Sequence, residues 1–227
     1  MLLRDTLFAF NPDYVIHLAA VPPAPTSMEA PEEAFRAIVR GTNNTLMCIK
    51  DLPDLQRYVH ISSSMVYGDF VYAPADEEHP KAPKEIYGAY KYCTEVITRT
   101  FCPLYGIDYA IVRPTAIYGP SDGNDHVLAN FLRNALDGKP IVVKGADLRF
   151  DFTFVEDVAQ GITRATFAPE ASSHVFNIAR GEGRTLSEAA QIVADLVPGT
   201  EIEYRQPDRR LPVRGALDIT NARTLLG

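Results

Sequence analysis

Three residue types stand where they can share one reaction: Tyr87, Lys91 four residues further on, and the run Ser62-Ser63-Ser64 closing an apolar segment. Residues four apart lie on one face of a helix, so a phenol and an ammonium can meet at a single atom. A Lys charge beside a Tyr hydroxyl favours the phenolate. Bringing that hydroxyl from a pKa of about 10 toward neutrality takes roughly 4 kcal/mol of differential stabilisation. One ammonium seldom supplies this alone; a second cation, such as an oxidised nicotinamide ring, would complete it. The chemistry implied is proton transfer coupled to hydride transfer. Taken alone the Tyr-x-x-x-Lys spacing is weak, because many helices carry it as ordinary surface and core residues.

These residues need a scaffold. Apolar strands alternate with amphipathic helices, the pattern of a mainly parallel sheet covered by helices. Leu2 to Phe10 reads as a short helix, and Asn11-Pro12-Asp13 turns it into a buried strand, Tyr14 to Leu18. Ala19 to Ala30, with Pro22, Pro23 and Pro25, reads as a loop. Pro31 suits a first helical position, after which Ala34, Phe35, Ile38, Val39, Leu46 and Ile49 follow the helical period. Arg57 to Ser62 reads as a strand, and a helix after Pro83 carries Tyr87 and Lys91 to about Leu104. Tyr109 to Arg113 is a further buried strand, stopped by Pro114. Asp125 suits the N-cap of a helix reaching Leu136, which Gly138 ends. Short strands over Ile141 to Val143 and Phe152 to Phe154 precede a helix from Glu156 to Thr166 and a strand from His174 to Ile178. Thr185-Leu186-Ser187-Glu188 reads as the capped start of a helix to Leu196. Three strand ends, Ala19-Ala20, Ser62-Ser63-Ser64 and Pro114-Thr115, carry small or polar residues where α/β proteins place ligand chemistry. Together with the Tyr87 helix they define one crevice.

Composition narrows the partners. A length of 227 residues holds one domain with a full core, or a large lobe plus a small one. The net charge of -7 argues against nucleic acid and anionic membrane. No apolar run approaches the roughly 20 residues of a membrane span. Cys48, Cys93 and Cys102 are odd in number and lack a Cys-x-x-Cys pair, so they read as reduced thiols in a cytoplasmic protein, with no metal site. His60, His79, His126 and His174 show no metal spacing, and His17 reads as a hydrogen-bonded core residue. Met1 to Asp5 does not open a signal peptide, because the acid interrupts the apolar region early. Glu77 and Glu78 read as surface charge in a loop, and Tyr90 as helix packing.

Six segments in order carry a more specific message: Val15-Ile-His-Leu-Ala-Ala20, Ser62-Ser-Ser-Met-Val-Tyr-Gly68, Tyr87-Gly-Ala-Tyr-Lys91, Arg113-Pro-Thr-Ala-Ile-Tyr-Gly-Pro120, Phe152-Thr-Phe-Val-Glu-Asp157 and Phe176-Asn-Ile-Ala179. The chain resembles the extended short-chain dehydrogenase/reductase superfamily and, within it, the NAD-dependent epimerase/dehydratase family of nucleotide-sugar enzymes. The resemblance implies a Rossmann-like, doubly wound parallel sheet with a smaller C-terminal substrate lobe. Residues 1–118 and 152–180 would form the dinucleotide-binding part, and 119–151 with 181–227 the lobe. By the same resemblance Tyr87 is the general base on a sugar hydroxyl, Lys91 holds the nicotinamide ribose, and Ser63 hydrogen-bonds the reacting oxygen. Ala19, Ala20, Pro114 and Thr115 would line the cofactor, NAD or NADP. Ser64, Arg149 and Arg214 would meet the nucleotide-sugar substrate. Arg214 comes from a basic cluster with Arg205, Arg209 and Arg210 whose bland reading is a solvated loop; arginine forks suit diphosphate oxygens. Helices from Glu32 to Lys50 and from Pro83 to Leu104 would form a homodimer seam.

The departures from the family matter as well. None of the 14 glycines forms the Gly-x-x-Gly-x-x-Gly turn that places a pyrophosphate at a helix N-terminus. The chain is therefore expected to be N-terminally incomplete, lacking the first strands of its sheet. In the strand order 3-2-1-4-5-6 the strand Tyr14 to Leu18 would then be an unpaired edge, which recruits other strands or aggregates. Ile38 and Ala116 stand where asparagines are common, and Arg149 is displaced from the usual arginine position, held here by Phe150. Ser64 and Met65 occupy places where dehydratases carry acids, so water elimination lacks its proton donor. Epimerisation or simple oxidoreduction fits better. The competing reading is a catalytically silent fragment or binding module without the glycine-rich cofactor turn.

Overall fold

The computed structural model describes residues 2–20, 24–122, 126–207 and 212–227. The expected N-cap Asp125, the loop prolines Pro22 and Pro23, and Arg209 and Arg210 lie outside the described residues. In chain order the elements are α1 (Leu2–Phe10), β1 (Tyr14–His17), α2 (Ala24–Glu29), α3 (Pro31–Phe35), α4 (Gly41–Ile49), β2 (Arg57–Ile61), α5 (Ile86–Leu104), β3 (Tyr109–Pro114) and β4 (Ile117–Tyr118). They continue as α6 (Val127–Leu136), β5 (Ile141–Lys144), β6 (Arg149–Phe150), β7 (Thr153–Phe154), α7 (Val155–Phe167), β8 (His174–Ile178), β9 (Arg184–Thr185), α8 (Leu186–Leu196), β10 (Ile202–Arg205) and α9 (Thr220–Leu225). A π-helical stretch, Arg36–Arg40, joins α3 to α4.

Four strands form a parallel sheet in the order β1-β2-β3-β8. Side chains alternate across it, and β2 and β3 are buried on both faces. Tyr58, Tyr109 and Ile111 pack with Leu46, Ile49 and Cys102 on the α4 and α5 side. Val59, Ile61, Ala110, Val112 and Phe176 pack with Val158, Ala165 and Ile162 on the α7 side. Burial on both faces is why these strands read as continuous apolar runs rather than alternating ones. The doubly wound α/β architecture expected from the sequence is present. A separate core gathers Phe131, Ala135, Ile141, Val143, Phe152, Leu186, Ala190 and Val193 from α6, β5, α8 and the segment before β7.

Three local expectations need correction. The segment after Ala20 is not all loop: α2 spans Ala24–Glu29, since proline is tolerated in the first turn of a helix, where its missing N–H has no partner to lose. Strand β1 is not buried throughout. It pairs only with β2 among the described residues, and Ile16 and Leu18 are 39% and 59% exposed. Glu77 is not surface charge. It is buried, and its carboxylate accepts the Asn177 N–H at 2.8 Å and an Asn221 amide hydrogen at 2.8 Å.

Buried polar groups tie the layers together. Arg57 caps the C-terminus of α7, donating to the carbonyls of Ala165, Thr166 and Ala168, and pairs with Asp108 at 2.8 Å; a cation suits the negative end of a helix. Asp151 accepts the N–H groups of Arg180, Gly181 and Leu217, pinning the chain after β8. Thr185 and Glu188 close the expected capping box on α8. Ala116, just past β3, sits at φ 36°, a left-handed conformation that costs a side chain with a Cβ roughly 1–2 kcal/mol.

Two predictions follow from this packing. Ala116→Gly relieves the left-handed strain and should raise stability slightly, by about 0.5 kcal/mol after the backbone entropy of glycine is charged against it. Ala116→Val should instead destabilise; urea unfolding of the pair checks the sign. Burial, with the nearby Lys91 charge, holds the His17 imidazole down to about 4. The native state binds this proton less readily than the unfolded chain, so the stability is intact above pH 6.5 and is lost as pH falls toward 4. His17 alone accounts for about 3 kcal/mol over that window. His17→Gln should flatten the pH dependence of the unfolding free energy by that amount.

Candidate active site

The site forms at the C-terminal ends of β2 and β3, against the first turns of α5. Ser63 leaves β2 in an extended conformation and opens a short 3₁₀ turn, Ser64–Val66, its oxygen accepting the Met65 N–H at 3.2 Å. That leaves the hydroxyl proton free to face Tyr87. Gly88 explains how close the two segments come. A Cβ there would lie 2.5 Å from the Met65 carbonyl, so only glycine lets the helix backbone rest on the turn that carries Ser63. Gly68 performs a similar task at φ 70°, against the Ala82 carbonyl.

Tyr87 and Lys91 share one face of α5, as their spacing required. Tyr90 turns away and packs edge-on against Phe35 at 5.7 Å, as expected of a packing residue. The depression of the Tyr87 hydroxyl expected from its helical neighbour is not found. Desolvation pushes it up to about 12, and the hydrogen bond with Ser63 is what works downward. The Lys91 ammonium sits over the Tyr87 ring, 5.9 Å from its centroid, and desolvation of the buried phenol is the larger effect. Lys91 is itself buried, and desolvation pulls its ammonium down to about 8. Its Nζ donates to the Ile61 carbonyl at 2.8 Å, the one hydrogen bond it makes among the described residues.

Beneath Lys91 lie two neutral imidazoles. His17 Nε2 is 3.2 Å from the Thr42 hydroxyl, and His60 Nε2 is 2.9 Å from the Thr94 hydroxyl. Burial and the Lys91 charge hold both well below their ordinary range. His17 is therefore the hydrogen-bonded core residue its strand suggested. Among the described residues no cluster of histidine, cysteine or carboxylate side chains could hold a metal, and no helix is long and apolar enough to cross a membrane.

A cavity of about 710 Å³ lies beside the site, lined by Gly145, Leu148, Arg149, Tyr204, Arg205 and Arg214, among others. Three of the arginines singled out in the sequence thus meet there. Arg149 is exposed and donates to the Gly183 carbonyl at 3.2 Å, and Arg205 pairs with Glu203 at 2.7 Å. Arg214 reaches deepest: it contacts the Met65 sulfur, and its buried Nε has no hydrogen-bond partner among the described residues. Desolvation pulls its guanidinium down to about 10. Met65 follows the catalytic serine candidates directly, so Arg214 links the cavity to the Ser63 turn. Ser64, expected beside the arginines, is buried in that turn at 2% exposure and does not line the cavity. Pro114 and Thr115 stand at the end of β3, while Ala19 and Ala20 follow β1 at the accessible edge of the sheet.

Sequence reasoning missed Glu95, Tyr67 and Asn177. Tyr67 donates to Asn177 Oδ1 at 2.6 Å and accepts from Arg113 at 2.8 Å, under the strand ends. Glu95 carried a signal that was available, since it continues the Tyr87, Lys91 series at four-residue spacing. Asn177 lies in the quoted segment Phe176 to Ala179, but nothing local revealed its partners Glu77 and Ala75, about a hundred residues away.

Residues 2–179 match the NAD dependent epimerase/dehydratase family. The chain is 31% identical over 232 residues to UDP-glucose 4-epimerase of Mycolicibacterium smegmatis, covering 99% of this chain and 73% of that protein. It is 30% identical over 218 residues to dTDP-glucose 4,6-dehydratase of Streptomyces niveus, covering 95% and 64%. UDP-glucose 4-epimerase of Thermotoga maritima, solved with UDP-glucose, superposes with a TM-score of 0.92 at 26% identity, covering 99% of this chain and 74% of that one. With its parallel sheet, its strand-end serines and its Tyr87–Lys91 helix, the chain belongs to the NAD dependent epimerase/dehydratase family of enzymes.

Proposed function

We propose that the chain acts as an NAD-dependent epimerase of nucleotide-diphosphate sugars, inverting a ring carbinol in the manner of a 4-epimerase. The observation that carries this reading is the meeting of Ser63 and Tyr87 at the end of β2, with Lys91 buried beneath them. Bound NAD would take up hydride from the sugar carbon and return it.

The residues present fit the nicotinamide-ribose half of that cofactor. Among the described residues the Lys91 ammonium donates only to the Ile61 carbonyl, which leaves donors for ribose hydroxyls. Ala19, Ala20, Pro114 and Thr115 line the approach to it. Tyr87 takes the proton of the sugar hydroxyl as its carbon is oxidised, and gives one back when the carbon is reduced from the other face. Ser63, its oxygen already accepting the Met65 N–H, donates to the reacting oxygen. The raised Tyr87 pKa leaves the phenol protonated at neutral pH, so proton removal needs a positive charge beyond Lys91.

Arg214, Arg205 and Arg149 suit the diphosphate of the substrate, because guanidinium forks match its oxygens and Arg214 Nε has no partner among the described residues. Residues 119–151 and 181–227 serve as the substrate lobe. Met65 lies where a dehydratase would place an acid, which favours epimerisation over loss of water. Exposed Met47 on α4 and Val96 on α5 suit a homodimer seam.

One observation favours a second reading, a catalytically silent fragment or binding module: none of the glycines of the sequence forms the glycine-rich phosphate turn. Equilibrium dialysis with NAD and NADP separates the two, near-stoichiometric binding at micromolar cofactor supporting the enzyme. In an assay interconverting UDP-glucose and UDP-galactose, Tyr87→Phe should cut turnover at least about 100-fold. Activity retained by that variant would remove Tyr87 from the chemistry.

A further inference from the structure

Among the groups that the reaction does not itself use, one buried ion pair stands closest to the site. Glu95 and Arg113 are both fully buried. Arg113 Nε donates to Glu95 Oε1 at 2.8 Å and Nη2 to Oε2 at 2.6 Å, a two-pronged geometry of the strong kind. The Ser62 hydroxyl donates to the same Oε1 at 2.5 Å. The remaining guanidinium nitrogen donates to the Tyr67 hydroxyl and the Glu77 carbonyl. A buried pair seldom offsets its desolvation through stability alone, so its location needs a reason.

The location supplies one. Ser62 directly precedes Ser63, and Arg113 directly precedes Pro114. Glu95 lies one helical turn beyond Lys91 and two beyond Tyr87, on the same face of α5. We propose that Glu95 is the positioning residue of this site, its buried carboxylate joining the three segments that carry Ser63, Tyr87 with Lys91, and Pro114. The inference rests on the assignment of Ser63, Tyr87 and Lys91 as the reacting group.

Charge gives the carboxylate a second hold on the site. Its field is what works against desolvation at the Lys91 ammonium. Among the described residues the other charged or titratable groups around the two are Tyr87 on α5, whose ring Lys91 overlies at 5.9 Å, Arg99 on α5, 3.9 Å from Glu95, Arg113 on β3, His17 on β1, His60 on β2, and Tyr67, Glu77 and Lys81 from the loop. Both histidines are held neutral, and Arg113 is permanently charged. Loss of the Glu95 charge should therefore register at Lys91 directly.

The test follows the Lys91 side chain by NMR in protein labelled with ¹⁵N at lysine Nζ, with Lys91→Met identifying its signal. It needs neither substrate nor turnover, so its outcome is independent of whether the chain is an epimerase. Glu95→Gln keeps the shape and removes the charge, and should lower the Lys91 midpoint by about one pH unit. Glu95→Asp should bring it back toward the wild-type value, and Ser62→Ala, which keeps both charges, should leave it in place. If Glu95→Gln does not fold, Glu95→Gln/Arg113→Met removes both charges of the pair, and its midpoint should fall below that of Arg113→Met, which keeps the Glu95 charge. An unchanged midpoint in a folded Glu95 variant overturns the proposal. So does failure of every Glu95 variant to fold, which would make the residue a requirement of folding rather than of the site.

Discussion

The contact between Glu95 and Arg113 sets the geometry on which the rest of the site depends. A parallel sheet leaves its strand ends free to shift relative to the helices that cover them, because apolar packing is not directional. A two-pronged carboxylate–guanidinium contact is directional. It joins α5 to β3, and through the Ser62 hydroxyl it joins both to the end of β2. Breaking one partner of such a buried pair typically costs about 3–5 kcal/mol, so the three segments move together or not at all. Gly88 completes the arrangement by letting helix and turn touch backbone to backbone.

Burial then decides the charge state of the site. The same desolvation that pulls Lys91 down to about 8 pushes Tyr87 up to about 12 and keeps His17 neutral. At neutral pH the Lys91 ammonium thus stands beside a protonated Tyr87 phenol and the neutral imidazoles of His17 and His60, with the Glu95–Arg113 pair next to them. Such a site resists giving up the phenol proton until further positive charge arrives. In the reaction proposed above, proton transfer would be coupled to the arrival of a cationic partner, which would link this scaffold to hydride chemistry.

Much of this was legible in the residues. The two central strands, β2 and β3, announce themselves as largely apolar runs, and the four-residue spacing of Tyr87 and Lys91 puts them on one helix face. Thr185 and Glu188 predicted their capping box. Elements of two residues, such as β4, β6 and β9, are too short to show any period. Helix α2 was hidden by prolines that its first turn tolerates. Glu77 looked exposed because nothing local reveals a partner such as Asn177, a hundred positions on. The direction of the Tyr87 shift was misjudged for a related reason. Spacing tells which residues share a face, whereas desolvation depends on everything packed above that face.

The central claim is that Tyr87 is a phenol held protonated by burial and released by added positive charge. Ultraviolet difference titration of tyrosinate, wild type against Tyr87→Phe, measures it directly. The account predicts a Tyr87 midpoint near about 12 in the free protein, falling by a unit or more with saturating oxidised NAD. A midpoint already near neutrality without NAD, or one that NAD binding leaves unmoved, would contradict it.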